Sequence, residues 1–177
     1  MVPEIEDLVA SAASRDDLEK KNKITIIAWG GDLDRIWPTL ILSTAAAASG
    51  MEASVFFTFW GLFALVKPGV RITGENWMQK MFSVVNPGST AKAKLSKLQF
   101  AGAGPRMMKK LAAQNKTPDP TELLALAQEM GVRLIPCQMT MDLLGLSRED
   151  LIDGLEEPIG AATALLEMKE AAIQLFI

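Results

Sequence analysis

The chain has 177 residues, 49% of them apolar and 22% charged, with a net charge of −3, one cysteine and no histidine. That length suits one domain with a single well-buried core. A lone cysteine excludes an intrachain disulfide or a thiolate zinc cage and points to a reducing compartment, while the missing histidine closes Ser-His, Cys-His and His-ligated metal chemistry. No Walker-type glycine loop and no G-x-G-x-x-G motif is present. Between Lys67 and Lys116 ten basic residues face one acid, Glu75, a local balance of +9 that leaves −12 for the remainder. Such asymmetry fits docking to an acidic partner, an anionic substrate or an anionic lipid surface, and equally a solvated basic face. Aromatic residues do not interleave with the basic ones, so nucleic acid is not expected as a partner.

Residues 1–22 read as a peripheral helical extension. Ile5, Leu8, Val9 and Ala12 have helical spacing, and the charged stretch to Lys21 lacks the apolar core of a signal peptide. Lys23 to Trp29 is a continuous apolar run with three isoleucines, the profile of a strand buried on both faces. Gly30-Gly31-Asp32 ends it. Asp34 is placed to cap a helix from Arg35 to about Ser49, with Pro38 in its first turn and Gly50 closing it. Ala53 to Phe59 is a second strand, followed by Trp60-Gly61 and a short helix over Leu62 to Val66. The uncharged runs on either side of Glu52 are each too short to span a bilayer.

Residues 68–104 read as an insertion. Asn76 to Val85 is expected to form an amphipathic helix, Lys92, Lys94 and Lys97 follow, and Gly102-Ala103-Gly104-Pro105 has the composition of a hinge. Helices are expected over Pro105 to Asn115 and, capped by Thr121, over Glu122 to Met130. Val132 to Ile135 is the third strand. It runs into Pro136, then Cys137, then a helix over Gln138 to Leu144 that Gly145 breaks. Ser147 starts a further helical turn, Leu155 to Glu157 is a short strand, Pro158 to Lys169 a helix and Ala171 to Ile177 the last strand.

The alternation implies a flavodoxin-like, doubly wound, mostly parallel five-stranded sheet spanning residues 23–177. Ligands of such sheets bind beyond the carboxyl ends of the strands. Gly30-Gly31-Asp32, Trp60-Gly61 and Cys137 all fall at that edge. A thiol where a strand hands over to a helix meets backbone N–H groups and the positive end of the helix dipole, which favour the thiolate. The plainer reading is a small buried hydrophobe.

Cys137-Gln138-Met139-Thr140-Met141-Asp142-Leu143, Gly145, Gly160-Ala161-Ala162-Thr163 and the apolar last strand together resemble the DsrE/DsrF-like sulfurtransferase family. Within it the nearest likeness is the DsrE-like "peroxiredoxin family" branch with a central insertion. Lys23 to Ile177 is covered by the resemblance. It implies a cytoplasmic homo- or hetero-oligomer whose single cysteine, Cys137 here, carries sulfane sulfur as a persulfide. The sulfur would come from a persulfide, polysulfide or thiosulfate donor and go to an acceptor such as a TusA-like carrier. Backbone amides of Gln138, Thr140 and the Gly30-Gly31-Asp32 loop would stabilise the thiolate, with Trp60 and Gly61 at the same rim, and no cofactor or metal is called for. A peroxidase cycle is disfavoured because no second cysteine resolves a sulfenic acid. Two other classes remain open: a non-catalytic binding protein held peripherally on a membrane through Trp77 to Val85 and the lysines, and, last, a flavin pocket.

Overall fold

The computed structural model describes residues 22–70, 90, 93–97 and 102–177. The N-terminal extension and the amphipathic helix expected at Asn76 to Val85 lie outside them. Among the described residues four strands form one sheet: β1 (Lys23–Ala28), β2 (Glu52–Phe57), β3 (Arg133–Pro136) and β4 (Ile173–Phe176), in the order β3-β2-β1-β4. Every pairing is parallel.

The fifth strand expected at Leu155 to Glu157 is absent, for a reason written in two prolines. This segment does run along the free edge of β3: Glu156 N–H donates to Leu134 C=O and Ile159 N–H to Pro136 C=O, at 3.0 and 3.1 Å. Pro136 has no N–H to return, and Pro158 has none to offer, so a regular ladder cannot form. What remains is an isolated bridge between Cys137 and Ile159.

Helix α1 (Leu33–Ala48) follows β1, α2 (Ala103–Gln114) and α3 (Pro120–Glu129) precede β3, α4 (Gln138–Leu144) follows it, and α5 (Ala161–Glu170) leads into β4. Helix α1 begins two residues before the expected start, with Asp32 rather than Asp34 at its N-cap and Pro38 inside it. The segment after β2 is a 3-10 helix over Phe59–Leu65. The expected hinge at Gly102 to Pro105 is the opening of α2. Gly102 takes φ +90 at the N-cap, and Gly104 and Pro105 are buried. Asp119, not Thr121, caps α3 through a reciprocal capping box with Glu122.

Strand alternation divides the core in two. Ile24, Ile26, Val55, Phe57 and Leu134 face α1, α3 and the 3-10 helix in the larger cluster. Ile27, Phe56, Ile135 and Cys137 face the other way, toward Ala164 of α5. That second face is covered by α5 alone among the described helices. Its far end is held by charge: the Arg133 guanidinium grips Glu167 through two hydrogen bonds, of 2.8 and 3.1 Å, with Glu156 and Glu52 close by, and Lys23 lies 3.9 Å from Glu170.

Two close approaches set the shape of the sheet's carboxyl edge. A side chain on Gly61 would place its Cβ 2.1 Å from Ala28 O, and one on Gly31 would place it 2.4 Å from Trp60 O. Both partners are backbone and cannot swing aside. Gly61 N–H donates to Trp29 C=O at 3.1 Å, drawing the 3-10 helix against the end of β1. The β1–α1 turn is tied a second way. Leu33 N–H donates to Lys94 C=O at 2.7 Å, and Asp34 accepts from Ser96 N–H at 2.9 Å and from the Ser96 hydroxyl.

Gly61→Ala should therefore cost about 2–3 kcal/mol, the upper part of the range for overpacking against unyielding neighbours. Gly160→Ala, where nothing lies within 4 Å of the new carbon, should cost less than about 1 kcal/mol, the loss of an N-cap glycine being offset in part by a stiffer unfolded chain. Urea denaturation midpoints of the two variants would separate them. Partial burial alone would raise the Asp34 carboxyl, but the two Ser96 hydrogen bonds prevail and hold it below the ordinary carboxylate range. A depressed folded-state value means that this tether is complete above the unfolded pKa of about 3.9 and is lost as pH falls through the lower folded value. The Ser96 amide resonance should titrate with a midpoint below about 3.9, and that step should vanish in Asp34→Asn.

Candidate functional site

Period-two alternation brings the site together. On the α5 side of the sheet, Thr25, Ser54, Arg133 and Gln174 stand in one cross-strand row, and Ile27, Phe56, Ile135 and Phe176 in the next. One more step along each strand reaches Trp29, Thr58 and Cys137. The parallel ladder carries on to these three after the regular strands end. Trp29 N–H donates to Ile177 C=O, Thr58 N–H to Ala28 C=O and Cys137 N–H to Phe57 C=O, each at 3.0 Å. The cysteine is thus pinned by its own backbone in the third row, at the carboxyl rim.

Above this row lies an open cavity of about 740 Å3. Ile27 and Phe56 form its floor, Trp29, Thr58, Phe59 and Trp60 one side, and Met139, Ala161, Ala164, Leu165 and Met168 the other, with Phe176 at the edge. Cys137 is 1% exposed and belongs to the wall. Among the described residues its thiol makes no hydrogen bond and has no charged neighbour lining the cavity. What this arrangement offers is a buried sulfur nucleophile at the side of a large apolar chamber. No group of three or more potential metal ligands occurs among the described residues.

The other residues singled out from the sequence divide into three sets. Trp60 lines the cysteine cavity directly. Gly30, Gly31 and Asp32 line a second, polar cavity of about 350 Å3 with Arg35 and Lys94, and Trp29 and Trp60 stand between the two. Desolvation, with Asp34 nearby, pushes the Asp32 carboxyl up. Gly61 is a packing glycine, as its contact with β1 requires.

Gln138 N–H is committed elsewhere, and the Thr140 side chain has bonds of its own. Gln138 N–H is spent on Ile159 C=O at 3.0 Å, and its side-chain amide donates to Asp142 at 2.7 Å, on the exposed side of a helix of only seven residues. Thr140 is buried. Its hydroxyl accepts from Phe59 N–H and shares a hydrogen bond with the Thr58 hydroxyl, both at 3.1 Å. Phe59 holds φ +46, a conformation that bulky residues rarely adopt and that costs on the order of 1–3 kcal/mol. Thr140 therefore fixes the strained residue that forms one wall of the cavity.

Sequence reasoning passed over Trp29, Phe59, Met139, Leu165, Met168 and Phe176. Trp29 and Phe176 could have been reached by counting in twos from Ile27 and Gln174. Leu165 and Leu166 carried a second signal, since adjacent leucines on a short helix cannot both face one sheet. They are 65% and 62% exposed.

Comparison with known proteins agrees with this architecture. The model of the DsrE/DsrF/DrsH-like family matches residues 20–176. The "Uncharacterized protein YrkE" of Bacillus subtilis (strain 168) is 37% identical over 159 residues, covering 90% of this chain and 99% of that protein. The "Sulfur carrier protein DsrE2" of Allochromatium vinosum is 36% identical over 167 residues, covering 89% and 99%. Among solved structures, the ychN protein from E. coli superposes with a TM-score of 0.55 at 17% identity, over 88% of this chain and 99% of that one, and so shares the fold. With its parallel sheet, its helices and a family model matched over nearly its whole length, the chain belongs to the DsrE/DsrF/DrsH-like family.

Proposed function

We propose that this protein serves in a sulfur relay, holding sulfane sulfur as a persulfide on Cys137 and passing it to an acceptor protein. The observation that carries this reading is the placement of the only cysteine of the chain in the wall of the cavity at the carboxyl rim. The 36% identity to a relative named sulfur carrier protein supports the same class.

The chemistry is thiol exchange on both sides. The Cys137 thiolate attacks the outer sulfur of a donor persulfide; the new S–S bond forms as the old one breaks, and the donor leaves as a thiolate. In discharge the acceptor thiolate attacks the outer sulfur of the Cys137 persulfide and restores the Cys137 thiolate. Electrons balance within each exchange, so no oxidant enters. No general base lines the cavity among the described residues, and the thiol proton passes to solvent before the donor seats. A TusA-like carrier is the acceptor class we favour, with a sulfane-sulfur donor upstream and the cytoplasm as the compartment.

Exposed apolar side chains beside the cavity support a homo-oligomer. Leu166 of α5 is 62% exposed and Phe176 of β4 is 68% exposed. Exposed apolar surface, where it is contiguous, is characteristic of interfaces. Light scattering on the full chain should give a mass above the monomer, and Leu166→Glu should shift it down; a wild-type monomer at micromolar concentration would count against assembly.

Intact-protein mass spectrometry without reductant tests the central claim. After exposure to a persulfide or polysulfide donor, the wild type should gain whole sulfur atoms and Cys137→Ser none, while the circular dichroism of the two stays the same. Loading that survives the substitution, or no loading of the wild type by any donor, would sink it.

A further inference from the structure

Building on the assignment of Cys137 as the carrier, we propose that its cavity selects the donor by charge: it takes uncharged sulfane sulfur, in the form of elemental sulfur rings, and discriminates against small oxyanions such as thiosulfate.

The walls decide this. Ile27, Phe56, Met139, Leu165, Met168 and Phe176 offer hydrocarbon, thioether and aromatic surface. Thr58, the one hydroxyl in the lining, is already hydrogen-bonded to Thr140. A doubly charged donor reaching the buried thiol would leave its water behind and meet no compensating charge among the described residues. The cations of the adjoining cavity do not help. Arg35 and Lys94 line the separate polar cavity, and the Arg35 guanidinium lies 4.5 Å from the Trp29 ring centroid, with the indole as the partition.

Uncharged sulfur has the opposite balance. Sulfur–sulfur chains are apolar and polarizable, so burial is favourable, and thioether and aromatic groups are good neighbours for them. The volume of about 740 Å3 is in the range that holds a drug-sized ligand and far exceeds what a two-sulfur anion fills. The reaction also suits an open chamber. The Cys137 thiolate attacks one atom of a cyclo-octasulfur ring and one ring S–S bond breaks. The electron pair leaves as the negative charge on the far end of the opened chain. The attacking sulfur is oxidised as the terminal ring sulfur is reduced, so no further reactant is required. A long chain lets that charge reach water at the mouth, which a one-sulfur adduct does not.

The test uses the full chain under anaerobic conditions. Sulfur loading is followed by intact mass with dispersed cyclo-octasulfur and with thiosulfate. Each rate is divided by that of an unstructured cysteine peptide, which removes the donors' own reactivity. The normalised preference for ring sulfur should be roughly tenfold or more, as the desolvation of an unpaired dianion implies. Leu165 is 65% exposed at the mouth, so Leu165→Arg adds a cation without burying it. That variant should raise thiosulfate loading several-fold and leave ring sulfur little changed. Equal normalised rates in the wild type, or thiosulfate loading unmoved by Leu165→Arg, would overturn the selection by charge while leaving Cys137 a carrier. No loading from ring sulfur while a persulfide donor still loads Cys137 would overturn this inference alone; no loading from any of the three donors would overturn the carrier assignment with it.

Discussion

Everything at the candidate site depends on the parallel register of β1, β2 and β3. In a sheet whose side chains alternate, a slip of one residue turns every buried group to the opposite face. Here the pairing of Ile27 with Phe56 and of Phe56 with Ile135 fixes what stands one step further on. Trp29, Thr58 and Cys137 inherit their positions from it, and three successive N–H donations lock them to the neighbouring strand. The thiol needs no side-chain partner to be positioned; the ladder positions it.

The two faces of the sheet are finished unequally, and that inequality makes the cavity. Helices α1 and α3 and the 3-10 helix seal one face into the larger core. Among the described helices the other has α5 alone, anchored at its carboxyl-terminal half by the charges of Arg133 and Lys23. At its first turns only Ala164 is buried. Small residues there, Ala161 and Ala164, leave the space above Cys137 unfilled, whereas a leucine in place of Ala164 would occupy it. The lining is apolar, and its one hydroxyl, Thr58, keeps a partner in Thr140, so the opening strands no hydroxyl among the described residues.

Much of this was legible in the sequence, and the failures have identifiable causes. Strands β1 and β2, the break at Pro136 and the extent of α4 follow from β-branched runs, proline chemistry and glycine stops, all of which act locally. Leu155 to Glu157 misled because its apolar content and position are those of a strand; what excludes it is the pair Pro136 and Pro158 meeting across an edge, a nonlocal fact. Gly30-Gly31-Asp32 shows how one loop can carry two readings. A glycine pair after a strand suggests a ligand cradle, yet Gly31 is needed so that Trp60 backbone can come close, and the loop looks into its own polar cavity. The cysteine was found for a partly different reason than the one that holds it: its place after β3 is as expected, but Gln138 N–H is committed to Ile159 rather than to a thiolate.

That commitment bears on what kind of thiol this is. A thiolate cradled by free amides is stabilised at rest and correspondingly less nucleophilic. Cys137 instead sits in an apolar wall, on backbone that is already satisfied, beside Phe59 held in a strained conformation by Thr140. Such a site does not depend on storing charge. In the relay proposed above it would shield a sulfur–sulfur bond from water and so suppress adventitious exchange while cargo is held. It also leaves the opening, ringed by Met139, Leu165 and Phe176, as the route by which a second thiol can approach. In that proposal the shape and apolar lining of the cavity would take the place of the base and the resolving thiol that a chain with no histidine and no second cysteine lacks.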